Sequence, residues 1–115
     1  MSEQKNETDA LAQALSGAAH WLNALADDGP DLRVNAHIKA ALEAREFADD
    51  PCPIEAADVL ICIVGAALHH GWTVGDLADA VAHKVRINAQ RQWAQEPDGT
   101  WQHVVRRSPE QGGAA

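Results

Sequence analysis

At 115 residues, the chain is long enough for one domain with a modest core and short for a deeply buried cleft. Its 46% hydrophobic share is rich in Ala and Leu, with no Tyr and a single Phe, which favours helix over sheet. The net charge of −8 and the lack of any dense Lys/Arg cluster (Arg106 and Arg107 are only a pair) argue against a nucleic-acid-binding module. They leave open a phosphate-bearing small molecule, which could meet carboxylates only through bridging cations. Cys52 and Cys62 form no metal-ligand spacing and read as reduced thiols of an intracellular protein. No charged segment precedes an apolar run at the N-terminus, and Val59 to Leu68 is too short to span a bilayer. The expectation is a cytoplasmic protein without a membrane partner, in the host cytoplasm if phage-encoded.

Residues 1–7 are polar and expected to form a flexible N-terminus. Thr8 is placed to cap a first helix whose stripe is Leu11, Leu15, Ala18, Leu22 and Leu25. Asp27-Asp28-Gly29-Pro30 stops it. A second helix is predicted from about Val34 to Ala48 with Val34, Ile38, Ala41 and Leu42 inward, and Asp49 to Pro53 breaks the chain again. A third helix should start at Pro53 or Ile54, where a first-turn proline is tolerated, and run to Leu68. Beyond Glu55 and Asp58 it is apolar all round, as a central buried helix is. Gly71 ends it, and Thr73 to Asp76 resembles a capping box. The fourth helix is predicted to reach Trp93 with Leu77, Val81 and Val85 inward. The fold class is therefore all-α, a small antiparallel bundle of about four helices over residues 8–105, with a disordered tail at 106–115. So small a bundle is expected to complete its core by oligomerising.

Asp58 is the first residue that points to chemistry. A carboxylate in the wall of a buried helix costs several kcal/mol unless something pairs with it. Glu55 lies one turn earlier on the same face, and the third helix carries no Lys or Arg to relieve the two acids. Glu43 and Glu46 repeat this spacing on the preceding helix, and a short antiparallel connection brings the pairs face to face. Four carboxylates around one gap suit Mg²⁺ or Mn²⁺ rather than zinc. The bland alternatives are a solvated face for Glu43 and Glu46 and a solvated first turn for Glu55 and Asp58. Lys84, Asn88 and Arg91, at i, i+4 and i+7, form a polar and cationic stripe on the fourth helix, suited to a polyphosphate. A solvated basic stripe reads as well in isolation. His69-His70 sits where a helix end ordinarily carries histidine; there is no glycine-rich phosphate loop, and neither cysteine has a neighbouring base.

With these residues on the page, the chain resembles the MazG-like all-α nucleoside triphosphate pyrophosphohydrolases. Glu43-Ala44-Arg45-Glu46 and Glu55-Ala56-Ala57-Asp58 look like their ExxE…ExxD signature. Lys84 to Trp93 looks like the K-x3-N-x2-R-x-W segment of the dATP/dGTP branch, which includes phage enzymes, and Gly71-Trp72 is also similar. The sequence departs from the pattern at Leu42, where a glutamate is common, and at Ala56, where the purine branch often has Trp. Aligning His37 with a histidine that often precedes the motif would instead put the first acid positions at Ala41 and Ala44. The resemblance implies that Glu43, Glu46, Glu55 and Asp58 hold two or more catalytic Mg²⁺ or Mn²⁺ ions. It implies that Lys84, Asn88 and Arg91 contact phosphates or sugar, and that the protein is a dimer or tetramer. The implied reaction is hydrolysis of dGTP or dATP between the α- and β-phosphates to the monophosphate and pyrophosphate, with no nucleic acid polymer as partner. Two alternatives stay open: a non-catalytic helical self-association module, and a pyrophosphohydrolase for dUTP or dCTP. Trp21 could stack on a base, although a place in the core is its commoner role.

Overall fold

The computed structural model describes residues 3–105; the tail expected at 106–115 lies outside the described residues. The described chain forms helices α1 (Glu3–Asp28), α2 (Ala36–Asp49), α3 (Pro53–His69) and α4 (Val74–Ala89), then strands β1 (Trp93–Gln95) and β2 (Trp101–His103). It divides into two compact units, Met1–Ala78 and Asp79–Ala115. No single helix among the described residues is long and apolar enough to cross a membrane.

In the first unit, α3 is the element on which both α1 and α2 pack. The contact is made by small side chains. Leu22 of α1, Ala36 and Ala40 of α2, and Val64 and Ala67 of α3 are the buried apolar residues. Gly65 marks the closest approach, since a Cβ there would lie 3.4 Å from the Ala36 Cβ and 3.7 Å from Leu22 Cδ1. Alanine and glycine at the crossing let helix backbones come together without large side chains to hold them apart.

The helices occupy the expected places in the chain, with local corrections. Helix α1 begins at Glu3, so Thr8 lies inside it and not at its N-cap. Leu15, Ala18, Leu22 and Leu25 face inward as their spacing predicts, whereas Leu11 is exposed. On α2 the inward face is Ala36, Ala40 and Glu43, and the predicted set of Val34, Ile38, Ala41 and Leu42 is exposed. The small residues meet α3, and the larger Ile38 and Leu42 flank the contact. Helix α3 buries Val64, Gly65 and Ala67 but leaves Ile54, Leu60 and Ile63 exposed, so it is central without being covered on all sides.

Three local devices fix the connections within this unit. Between α1 and α2, both guanidinium nitrogens Nε and Nη2 of Arg33 donate to the Asp31 carboxylate at 2.8 and 2.9 Å, and Arg33 Nη1 donates to Asn23 Oδ1. Helix α3 ends in a Schellman turn: Trp72 N–H donates to Ala67 O, Gly71 N–H donates to Leu68 O, and Gly71 takes the required positive φ of 84°. The predicted capping box closes reciprocally, with Asp76 N–H on Thr73 Oγ1 at 3.0 Å and Thr73 N–H on Asp76 Oδ2 at 2.9 Å.

The second unit holds the remainder of α4 and a short antiparallel ribbon in which Trp93 pairs with His103 and Gln95 with Trp101. The fourth helix stops at Ala89, short of the predicted Trp93. Glu96-Pro97-Asp98-Gly99 is a hairpin turn: Gly99 has φ 90°, and Asp98 Oδ1 accepts from both the N–H and the hydroxyl of Thr100. Val81 and Val85, expected to face inward on α4, are 63% and 60% exposed in the single chain.

Candidate metal centre

The first half of the site follows from how α2 meets α3. Glu43 continues the small-residue face of α2 one turn beyond Ala40, so the close contact of the helices carries its carboxylate inward to 7% exposure. Glu55 and Asp58 stand one turn apart at the start of α3, where the positive end of the helix dipole favours acids. One oxygen each of Glu43, Glu55 and Asp58 lie within 4.8 Å of one another. Glu55 Oε2 is buried and has no hydrogen-bond partner among the described residues.

The electrostatics around Glu43 are asymmetric. Lys39, one turn earlier on α2, places Nζ 2.8 Å from Glu43 Oε1. That ammonium is the main reason the Glu43 carboxyl is held below the usual carboxylate range. Glu46 interacts with Glu43 as well, and the hydrogen bonding and charge of Glu43, then burial and the charge of Glu55, push its carboxyl up. Glu46 is thus a neighbour of the three-acid set and not one of its three members. Ala41 and Ala44 are exposed, so the register that puts acids at Glu43 and Glu46 is the one that turns a carboxylate towards α3.

A groove of about 510 Å³ opens beside these acids, and Glu43 and Asp58 are among its lining residues. Its walls include Trp21, Leu32, Ile38, Leu42 and Ile61. Trp21, for which a core place was the commoner expectation, is half exposed on this wall. Cys62 also faces the groove; burial and the nearby Glu43 carboxylate push its thiol up, which keeps it a poor nucleophile. The groove was not visible as such in the sequence, because Ile38 and Leu42 read as core.

Lys84 and Asn88 lie on α4 in the second unit, and Arg91 lies just past the helix end rather than on it. A turn in which Arg91 N–H donates to Asn88 O keeps these two side by side, with Arg91 Nη1 3.4 Å from Asn88 Oδ1. Trp93 Nε1 donates to the Asn88 carbonyl at 3.0 Å and ties the ribbon to the end of α4. The His70 ring stacks on Trp72 at 4.8 Å and meets His37 and His69 edge-on. These histidines form no metal-ligand group of their own among the described residues.

Comparison with known proteins agrees with this arrangement of helices. The chain is 32% identical over 100 residues to the dATP/dGTP diphosphohydrolase of cyanophage S-2L, covering 82% of this chain and 88% of the relative. A solved structure of the cyanophage S-2L MazG-like pyrophosphohydrolase, bound to dGDP and three catalytic Mn²⁺ ions per active site, superposes with a TM-score of 0.63. That match has 27% identity and covers 84% of this chain and 95% of the other. Residues 15–111 match the dATP/dGTP pyrophosphohydrolase family, to which this chain belongs.

Proposed function

We propose that the protein is a divalent-cation-dependent pyrophosphohydrolase that cleaves dATP or dGTP between the α- and β-phosphates, releasing the monophosphate and pyrophosphate. The observation that carries this reading is the set of Glu43, Glu55 and Asp58 oxygens within 4.8 Å, one of whose carboxylates keeps a buried oxygen with no partner among the described residues. The donor set fits a hard cation: it is all oxygen, and its three carboxylates gather more negative charge than the Lys39 ammonium offsets. Glu43, Glu55 and Asp58 would hold Mg²⁺ or Mn²⁺, with Glu46 beside them. Two or more ions per site accord with the three Mn²⁺ ions of the cyanophage enzyme. Bound ions would supply positive charge against the phosphoryl oxygens and lower the pKa of water.

The chain's own residues would do the rest. The carboxylates fix the reacting phosphate by fixing its counter-ions, so their rigidity on two packed helices sets the geometry. The groove is the proposed seat of the nucleoside, since its lining is mostly apolar, includes Glu43 and Asp58, and encloses a volume usual for a small-molecule site. Trp21 on its wall offers a face on which a purine would stack. Lys84, Asn88 and Arg91 are proposed to neutralise phosphate charge or bind the sugar. Their support is the matching spacing and the Asn88–Arg91 contact.

The protein is further proposed to work as a homo-oligomer, dimer or tetramer, in the cytoplasm where deoxynucleotides are found. Exposed Leu60 and Ile63 on α3 and Val81 and Val85 on α4 are apolar surface that a second copy would cover. Light scattering coupled to gel filtration tests this: a monomer at micromolar concentration would refute the oligomer. Turnover of each dNTP with Mg²⁺ or Mn²⁺, and its loss in Asp58→Asn, tests the activity.

A further inference from the structure

Lys39 is placed to do more than decorate α2. Its ammonium sits 2.8 Å from Glu43 Oε1, while the Glu43 side chain is 9% exposed and the Lys39 side chain 59% exposed. A solvent-exposed cation is therefore paired with a buried anion. Among the described residues no other Lys or Arg forms an ion pair with Glu43, Glu55 or Asp58. Lys39 also lines the groove, so a solvent-facing space is open to its stem when it lets go.

We propose that Lys39 is a resident counter-cation of the metal centre, which neutralises Glu43 when no divalent ion is bound and is displaced when one binds. The inference rests on the metal-centre reading. An ion about 2.1 Å from Glu43 Oε1 would stand only about 4 Å from an ammonium still bonded to the same oxygen, and a doubly charged ion repels it at that range. The four-carbon stem of this exposed lysine swings the charge into water at small cost. The chain's own lysine thus competes with the metal. Ion binding is weakest in the free enzyme and strengthens when a polyphosphate enters and offsets the repulsion between ion and ammonium.

The test is calorimetric titration of the full chain with Mg²⁺, in the absence of nucleotide, for the wild type, Lys39→Met and Lys39→Arg. Lys39→Met is expected to bind Mg²⁺ about two- to fivefold more tightly, the size of one partly exposed ion pair. Lys39→Arg, which keeps the charge, should stay near the wild type. Unchanged or weaker binding in Lys39→Met overturns the proposal, because a lysine that merely supports the fold or the site would give that result. A wild type that binds no Mg²⁺ at any attainable concentration overturns the metal-centre reading as well.

A second readout uses the wild-type protein and does not depend on the folding of Lys39→Met. The chain has three lysines, Lys5, Lys39 and Lys84, so ¹³C-dimethylation gives three lysine resonances besides that of the α-amine, with Lys39 assigned by its loss in Lys39→Arg. Addition of Mg²⁺ is expected to move the Lys39 resonance towards that of a free lysine. A Lys39 resonance that stays in place while Mg²⁺ binds overturns displacement.

Discussion

Glu43 on α2 and Asp58 on α3 come from different helices, yet a carboxylate oxygen of one lies within 4.8 Å of a carboxylate oxygen of the other. Packing enforces that proximity, because Glu43 shares the buried face of α2 with Ala36 and Ala40. Asp58 is exposed, which separates its chemistry from its folding role. Asp58→Asn is therefore expected to fold with stability within about 0.5 kcal/mol of the wild type. It should lose at least about a hundredfold in turnover and most of the thermal stabilisation that Mn²⁺ gives the wild type. Paired melting curves with and without Mn²⁺, beside turnover rates, check both halves.

Glu55 offers the opposite combination. Among the described residues its buried Oε2 has no partner, and it lies beside two other acids, a crowding of like charge that a metal site would explain. Glu55→Gln removes a charge and gives an amide that can donate to either neighbour. The metal-free variant should melt a few degrees higher than the wild type, in line with about 1 kcal/mol of relieved repulsion. Its activity should fall to background. A lower melting temperature would mean that Glu55 is stabilising as it stands.

The same packing that turns Glu43 inward depends on Gly65. A methyl at this position would sit 3.4 Å from the Ala36 Cβ, about as close as carbon atoms comfortably approach. Gly65→Ala should be nearly neutral, with gained helix propensity set against slight crowding. Gly65→Leu should cost about 1–3 kcal/mol by wedging α3 away from α1 and α2. It should also loosen the acid cluster. Denaturant melts of the two variants read the difference directly.

How much of this could be read from residue spacing differs from element to element. The start of α3 at its proline and the Thr73–Asp76 box follow from local rules that act within one turn, and each stands where it was expected. Of the four acids expected around one gap, Glu43, Glu55 and Asp58 come together and Glu46 stands beside them. The inward face of α2 did not follow, because apolarity alone cannot tell a core wall from a groove wall. Ile38 and Leu42 are apolar for the groove, and two alanines make the helix contact. The β1–β2 ribbon was read as helix end and loop, although Asp98-Gly99 between Trp-bearing triplets carried a hairpin signal. Lys39 stands four residues before Glu43, a spacing that favours an ion pair on a helix, but its importance appears only once Glu43 is known to be buried.

Acid stability gives a test that does not involve the metal centre. The Arg33 guanidinium holds the Asp31 carboxyl down at about 2 from an ordinary 3.8. A lowered carboxyl contributes stability that is present above its unfolded value and lost as pH falls through its folded value. The contribution of the Asp31–Arg33 pair should therefore fade between about pH 4 and pH 2. Asp31→Asn should be less stable than the wild type at neutral pH, and the two melting curves should converge as pH approaches 2. A constant gap across that range would assign the effect of the substitution to something other than this charge.

The most direct measurement of the central claim is product analysis after incubating the purified chain with each canonical dNTP and NTP plus Mg²⁺ or Mn²⁺. The account predicts that dATP or dGTP yields its monophosphate and pyrophosphate, and that EDTA or Asp58→Asn abolishes the reaction. No turnover of any nucleotide with either metal, or release of orthophosphate in place of pyrophosphate, would contradict it.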